Sequence, residues 1–268
     1  MKSECNLTIR NLGVIDEADI DITKINVVGG VNSSGKSTIS KIMYCFLKSQ
    51  DSPEKLLENE GFRNLNLDNI KFKSDSKFRD IFYFENISIL DLKDLQILDV
   101  DHIKHIKECL EIEKASPDSD ILTKIEDIID EGCFQTSSAG IKQIGVIQML
   151  LENGSLQKDS FLIIDEPESN LHPEWQIRFA NILALLSKEL NITLYLNSHS
   201  PIFIEAISLY AQYYDLINQT NFYLSEKRKN NKFTFRKIDP KNMGEVYENL
   251  TSPYDFLDRL KAKIIFKE

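Results

Sequence analysis

The sequence predicts an α/β domain with a mainly parallel central sheet, and three segments are the basis of this prediction. Residues 25–28 form an apolar, β-branched run that leads through a glycine-containing loop into a helix-patterned stretch at 38–48. Residues 161–164 are all apolar, which is typical of a strand buried on both faces in a parallel sheet. A third apolar strand at 192–196 precedes a helix that begins at Pro201.

The remaining elements fill the chain around these three segments. Residues 7–9 and 18–22 fit two short strands around a turn at Gly13, and they predict an antiparallel region before residues 25–28. The further predicted elements, in chain order, are a short helix at 53–59, a strand at 78–90, helices at 91–114, 120–130, 141–153, 173–190 and 201–214, a hairpin joining 222–224 to 233–235, and two short helices near the end of the chain.

Residues 30–37 match the phosphate-binding pattern G-x-x-x-x-G-K-[ST], with a strand before them and a helix after them. The glycines let backbone N–H groups point at phosphate oxygens, and the helix presents its positive end to the same anion. Lys36 is expected to reach the β- and γ-phosphates, and Ser37 to ligate Mg²⁺. The alternative is a glycine turn with a solvated lysine. The predicted nucleotide-binding residues of this loop are Gly30, Asn32, Ser33, Ser34, Gly35, Lys36, Ser37 and Thr38.

Two acidic residues, Asp165 and Glu166, follow the buried strand at 161–164. The carboxyl ends of strands are where open α/β sheets bind ligands. Asp165 is expected to hold the Mg²⁺ that bridges the phosphates, and Glu166 to accept a proton from the attacking water. The alternative is an acidic start of the next helix, which accounts for either residue alone better than for the pair.

Three further segments carry a family resemblance. Residues 165–176 resemble the D-E-P-E-x-x-L-H-P-x-x-Q segment of ABC-type ATPases on the SMC, recombination-repair and OLD (overcoming lysogenization defect) side of that superfamily. Residues 194–201 resemble its switch-histidine strand, and residues 137–143 are similar to its divergent signature motif. The motifs occur in the order typical of ABC proteins. The resemblance implies a P-loop NTPase fold with an ABC-ATPase-like head and an N-terminal antiparallel strand region.

The resemblance also implies a domain division and a dimer. Residues 1–50 and 132–268 would form the ATPase core, with an inserted, mainly helical subdomain at 51–131. Two such heads bind two ATPs between them, head to tail. Ser138 and the backbone at Gly140 would then cap the γ-phosphate of the other subunit, although this stretch taken by itself favours a serine-rich helix cap. His199 would contact the γ-phosphate and orient the water. The glutamine that usually bridges the metal and the helical subdomain is not evident, with Gln96 the nearest candidate.

Composition limits the remaining possibilities. The formal net charge of −10 disfavours broad binding to nucleic acid by the chain alone, and two basic clusters, 71–79 and 227–232, are expected to be solvated loops. Four scattered cysteines have no metal-ligand spacing. No secretory segment and no apolar run of membrane-spanning length is present, which indicates a cytoplasmic protein without a membrane segment.

These observations predict a Mg²⁺-dependent ATPase engine that dimerises through ATP. The resemblance suggests a role in genome maintenance or antiphage defence, with a separate nuclease or toxin as effector. Two alternatives remain open. One is the ATP-binding subunit of a membrane transporter, and the other is a nucleotide-gated scaffold that hydrolyses ATP slowly. The absence of an aromatic residue before Tyr44 weighs against the transporter, because transporter ATPases stack adenine on such a residue.

Overall fold

A nine-stranded sheet runs through the part of the chain that the computed structural model describes, which is residues 5–49, 52–63, 65–85, 101–111, 119–130 and 139–266. The spatial order of the strands is β4-β1-β2-β9-β8-β3-β7-β6-β5. In chain order they are β1 (Cys5–Leu12), β2 (Ile15–Asp21), β3 (Ile25–Gly29), β4 (Ile70–Ser74), β5 (Ile81–Glu85), β6 (Phe161–Asp165), β7 (Thr193–Ser198), β8 (Thr220–Lys227) and β9 (Phe233–Ile238).

Parallel pairing connects the five strands from β8 to β5, whereas β1 pairs antiparallel with both β2 and β4. The predicted α/β class, with a mainly parallel centre and an antiparallel N-terminal region, is therefore confirmed. The helices of the described residues are α1 (Lys36–Lys48), α2 (Glu54–Asn59), α3 (Asp101–Leu110), α4 (Ser119–Asp130), α5 (Ala139–Glu152), α6 (Pro173–Glu189), α7 (Pro201–Tyr213) and α8 (Gly244–Phe266).

Both faces of the sheet are covered, so successive residues of a central strand enter different cores. In β6, Leu162 and Ile164 pack into the core that includes α6 and α7, whereas Ile163 packs into the core that includes α1. This is the period of two that side chains follow along a strand. All five residues of β6 are buried, which explains why its sequence is a continuous apolar run.

Three features differ from the expectations. Strand β4 was not predicted; Lys71 and Lys73 lie on it and not on a solvated loop. The tail carries one helix of 23 residues, α8, in place of two short ones, and this helix continues through Pro253. Strands β4 and β5 belong to the central sheet, so the range 51–131 is not purely helical. The proposed boundaries of the inserted subdomain stay a prediction, and residues 86–90 of the predicted strand and Gln96 lie outside the described residues.

The order β3-β7-β6 is the feature of the fold that positions the site. Strand β3 leads into the glycine loop and β6 ends at the acidic pair, with β7 hydrogen-bonded between them. Because the three strands are parallel, their carboxyl ends lie at one edge of the sheet. None of the helices in the described ranges has the length and apolar character that crossing a bilayer requires.

Candidate nucleotide site

The loop between β3 and α1 has backbone conformations that only glycine adopts without strain at two positions. Gly30 has φ of 151°, and a Cβ atom there would lie 1.8 Å from Oγ of Ser225. Gly35 has φ of 99°, and its Cβ would lie 2.7 Å from a side-chain carbon of Ile15. The two glycines therefore let the loop curl closely against β8 and β2.

The Lys36 side chain is buried and folds back over the loop. Its Nζ donates hydrogen bonds to the carbonyl oxygens of Gly30 at 2.8 Å and Val31 at 2.9 Å. Burial lowers the pKa of Lys36, and the negative charges of Asp165 and Glu166 oppose this shift. A lysine in this position presents its charge to the concave side of the loop.

Asp165 is buried and surrounded by hydrogen-bond donors. Its carboxylate accepts from Ser40 Oγ at 2.8 Å, from Tyr83 Oη at 2.9 Å, and from the amide of Asn197. The pKa of this carboxyl is raised by burial and lowered by its interactions with Ser40, Ser37, Asn197 and Tyr83. The hydrogen bond from Ser40 joins the end of β6 to α1, the helix that follows the glycine loop.

Glu166 lies beside this pair in a different environment. Its φ of 51° is left-handed, which turns the chain sharply after β6, and its N–H donates to the carbonyl of Asn197 at 2.9 Å. The side chain is 34% exposed and accepts a hydrogen bond from Ser169 Oγ at 3.1 Å. A carboxylate that reaches solvent next to the loop is placed to meet a water molecule.

A cavity of about 280 Å³ lies over the loop. Within it, the Ser34 hydroxyl is buried and has no hydrogen-bond partner among the described residues. Such a donor favours an anion as its missing partner. The lining residues are Val14, Asn32, Ser33, Ser34, Gly35, Lys36, Ser37, Thr38, Glu166 and Asn197.

Comparisons with known proteins agree with this geometry. The model of the family described as "AAA domain, putative AbiEii toxin, Type IV TA system" matches residues 125–205. The uncharacterized ABC transporter ATP-binding protein YcbN of Bacillus subtilis strain 168 is 27% identical over 197 residues, which are 72% of this chain and 58% of YcbN. The chain thus spans less than two thirds of the length of that relative.

Two solved structures show the same fold. The SMC head domain from Thermotoga maritima aligns with a TM-score of 0.51 and 11% identity, over 89% of this chain and 99% of that domain. An ATP-binding cassette of an ABC transporter aligns with a TM-score of 0.51 and 14% identity, over 95% of this chain and 97% of that one. The fold is that of an ABC-type ATPase head.

His199 lies next to the acidic pair but does not line the cavity. Its Nδ1 is 3.2 Å from Oε1 of Glu168 and 3.7 Å from Oε1 of Glu166, and its side chain is 42% exposed. Glu168 is buried and accepts the backbone N–H groups of His199 at 2.7 Å and Ser200 at 3.1 Å. The burial of Glu168 raises its pKa, and the hydrogen bond from the His199 backbone opposes the rise. The buried carboxylate thereby holds the backbone that carries the histidine.

One of the signature-like residues, Gly140, lies in the first turn of α5. Ser138 lies outside the described residues. Their predicted contact with a nucleotide held by another subunit stays a prediction.

His172, which the sequence placed in a packing or hydrogen-bonding role, caps α6. Its side chain accepts the N–H of Glu174 at 3.5 Å. Pro173 follows at the first helical position, where its missing N–H costs nothing.

Sequence reasoning missed the roles of several residues that build the candidate site. Ser40 follows Lys36 by one helical turn on α1, and this spacing could have indicated that it faces the site. Asn197 lies on β7 within the histidine motif at 194–201, at the same edge of the sheet. Tyr83 gave no local signal, because only the pairing of β5 with β6 brings it near Asp165.

Proposed function

We propose that this protein is a Mg²⁺-dependent ATPase whose nucleotide site is the cavity over the glycine loop. One observation carries the proposal: Asp165, at the end of β6, accepts a hydrogen bond from Ser40 on α1, the helix whose first residues are Lys36 and Ser37 of the glycine loop. Asp165 is far from the loop in sequence, and the fold brings the two together at the point where a metal-bound triphosphate needs both.

The residues fit the proposed ligands. Asp165 and Ser37 offer the oxygen atoms that Mg²⁺ prefers, and the unpartnered Ser34 hydroxyl is a ready donor to a phosphate. A bound Mg²⁺ would neutralise charge on the phosphate oxygens. The Lys36 ammonium would exchange its two carbonyl partners for phosphate oxygens, which bind a cation more strongly.

The acidic pair divides the chemistry between two environments. Asp165, buried among hydrogen-bond donors, is held for ligation, whereas Glu166 reaches the cavity and solvent and would take the proton of the attacking water. His199, within 3.7 Å of Glu166, would orient that water or sense the γ-phosphate. These roles follow the arrangement expected from the sequence.

We further infer that two heads close over two ATPs, head to tail. Ser138 and the backbone at Gly140 would complete the site of the other subunit. Support comes from the similarity in fold to SMC heads and ABC cassettes, and from the exposure of Glu166 and His199 at an open edge. The two heads would close when ATP binds and open when it is hydrolysed, and this movement would act on a separate effector protein.

The proposed setting is a defence or genome-maintenance complex of the OLD-like branch. The matching family is described as an AAA domain and putative AbiEii toxin of a type IV toxin–antitoxin system, and this description supports a defence setting. The segment 165–176 and the histidine motif support the same branch.

A second candidate function is the ATP-binding subunit of a transporter. It is favoured by the description of YcbN as an ABC transporter ATP-binding protein, and it implies a membrane partner. Isolating the tagged protein from its native cell would separate the two functions. An integral membrane protein in stoichiometric amount would support the transporter, and a nuclease or toxin the defence engine.

The substitution Glu166→Gln tests the ATPase. It removes the proton acceptor while keeping the size of the side chain, so we expect hydrolysis to fall by about 10²-fold or more and ATP binding to persist. Sedimentation of this variant should show tighter association in ATP and Mg²⁺ than without nucleotide. The control is Glu174→Gln, an exposed residue of α6, which should hydrolyse ATP at the normal rate. Unchanged hydrolysis in Glu166→Gln would remove this residue from its role, and association that nucleotide does not change would argue against the paired heads. Very slow turnover in the unmodified protein would favour the nucleotide-gated scaffold.

A further inference from the structure

Two exposed apolar surfaces lie outside the nucleotide site. The first is a groove of about 390 Å³ between α6 and α7, which we call the α6–α7 groove. Leu209 is 57% exposed there and Tyr213 is 76% exposed, although both are large apolar side chains. The groove is lined by Ile177, Ile202, Glu205, Ala206, Leu209, Tyr210 and Tyr213.

The second surface is the far end of α8, residues 257–264, which we call the α8 arm. Every residue of the arm is exposed, whereas Val246 at the other end of the helix is buried in the core. Leu257, Leu260 and Ile264 follow one another at spacings of three and four, so they share one face of the helix. The arm is thus an amphipathic helix end whose apolar side chains are between 44% and 69% exposed.

The two surfaces match in shape. Apolar residues spaced three and four apart on a helix are the anchors that fit a groove between two other helices. An isolated helix of this length is marginal in water, so its apolar face gains stability from packing. The groove offers an apolar stripe along α7 at Ile202, Leu209 and Tyr213.

The two surfaces also match in charge. The arm carries three basic residues, Arg259, Lys261 and Lys263, against the single acidic Asp258. The charged residue in the lining of the groove is Glu205. Opposite charges at the rim of a contact favour the correct register of the partners.

None of the residues of the arm lines the α6–α7 groove of its own chain. Leu250 of α8 still packs against the core, and at ~1.5 Å per residue the helix runs about 21 Å from Leu250 to Ile264. We therefore propose that the α8 arm of one copy docks in the α6–α7 groove of a second copy. This contact involves neither the glycine loop nor the acidic pair, so it is independent of ATP.

Cysteine cross-linking between two variants tests the contact. The chain with Leu209→Cys is mixed with the chain with Leu260→Cys, without nucleotide, and the mixture is mildly oxidised. We expect a disulfide-linked dimer that joins one copy of each variant, identified by mass spectrometry. Replacing the second variant by Ala262→Cys, on the opposite side of the helix from Leu257, Leu260 and Ile264, should abolish the dimer. The parent chain reports any cross-linking by its native cysteines.

Several outcomes would overturn the proposal. A dimer formed by the Leu260→Cys chain alone would show that two arms pair with each other. An internal disulfide in the double variant, without the mixed dimer, would show that the arm closes on its own groove. The absence of any cross-link would mean that the arm does not bind a second copy.

Sedimentation equilibrium gives a second measurement without oxidation. Leu260→Asp and Leu209→Asp each place a charge in the apolar contact, so each should raise the dissociation constant of the nucleotide-free dimer by about tenfold or more. Both residues are exposed in the single chain, so the fold should be retained, as circular dichroism would verify. An unchanged dissociation constant in both variants would contradict the proposed contact.

Discussion

At the scale of single residues, the room available for a Cβ atom determines where the loop requires glycine. Gly30 and Gly35 both have positive φ, but the surroundings of each matter more than the backbone angle alone. Gly13 also has a positive φ, of 53°, yet no atom lies within 4 Å of where its Cβ would be. The sign of φ alone therefore does not determine what a methyl group at a glycine would cost.

We expect Gly30→Ala to lower the free energy of unfolding by about 2–3 kcal/mol, because its Cβ would overlap Ser225. It should also weaken ATP binding strongly, since the loop must move. Gly13→Ala should cost only about 1 kcal/mol, the strain of a left-handed alanine, and leave ATP binding intact. Urea unfolding and titration calorimetry measure both quantities. Normal ATP affinity in Gly30→Ala would show that the loop relaxes without cost.

At the scale of secondary-structure elements, a charged cluster joins the end of α1 to β5 and α3. Nζ of Lys48 lies 2.7 Å from Oδ1 of Asp80 and 3.1 Å from Nε2 of His105, and that nitrogen lies 3.1 Å from the same carboxylate oxygen. Asp80, His105 and Cys109 are close enough together to hold a metal ion. The Lys48 ammonium already supplies a cation there, so the cluster is best described as an ion-pair clamp.

The clamp depends on pH through His105. Burial acts against the charged imidazole, but hydrogen bonds with Asp80 and Cys109 raise the pKa of His105 to about 9. At Asp80, burial acts to raise the pKa, yet hydrogen bonds from His105 and Lys48 hold it well below its ordinary value. Because its pKa is raised in the fold, His105 contributes its full stabilisation below about pH 6.5, and this contribution is lost as the pH rises through about 9. Because its pKa is lowered in the fold, Asp80 contributes its stabilisation at pH values above its ordinary pKa of 3.8, and this contribution is lost in acid.

We expect His105→Gln to destabilise the protein more at pH 6 than at pH 9.5. The pH-dependent part of the loss should be on the order of 2 kcal/mol, because only the charged imidazole pairs with Asp80. Urea unfolding of both proteins at the two pH values gives the difference. An equal loss at both values would show that the imidazole acts only through packing.

At the scale of the whole molecule, the candidate site exists only in the folded sheet. The loop follows β3 and the acidic pair follows β6, and β7 lies between these strands. The unfolded chain has no arrangement that brings Ser37 to Asp165. A nucleotide that binds this site must therefore stabilise the fold as a whole.

At Mg²⁺–ATP concentrations of about 100 times Kd, we expect the free energy of unfolding to rise by about 2.7 kcal/mol. In Asp165→Asn, ATP alone should still raise the free energy of unfolding in part. Adding Mg²⁺ should cause no further rise in this variant. The matched control Asp215→Asn, at a surface turn with positive φ that asparagine tolerates, should behave like the unmodified protein. A full Mg²⁺ effect in Asp165→Asn would place the metal elsewhere.

Local patterns determined a large part of this protein. The continuous apolar run of β6, the glycine loop and the amphipathic α1 each depend on neighbours in sequence, so the residues alone indicated their structure. They also indicated that Lys36, Ser37 and Asp165 belong at the same sheet edge, because parallel strands align their carboxyl ends.

The tertiary structure decided the rest. Pairing with β1 made residues 70–74 a strand, because backbone hydrogen bonds to a distant segment outweighed a polar, lysine-rich local sequence. The register of β5 on β6 placed Tyr83 on Asp165, and α8 continued through Pro253 where local preference predicted two helices. Each outcome depends on contacts between residues far apart in the chain. The free energy of these contacts exceeds the small helix and strand propensities of the local sequence.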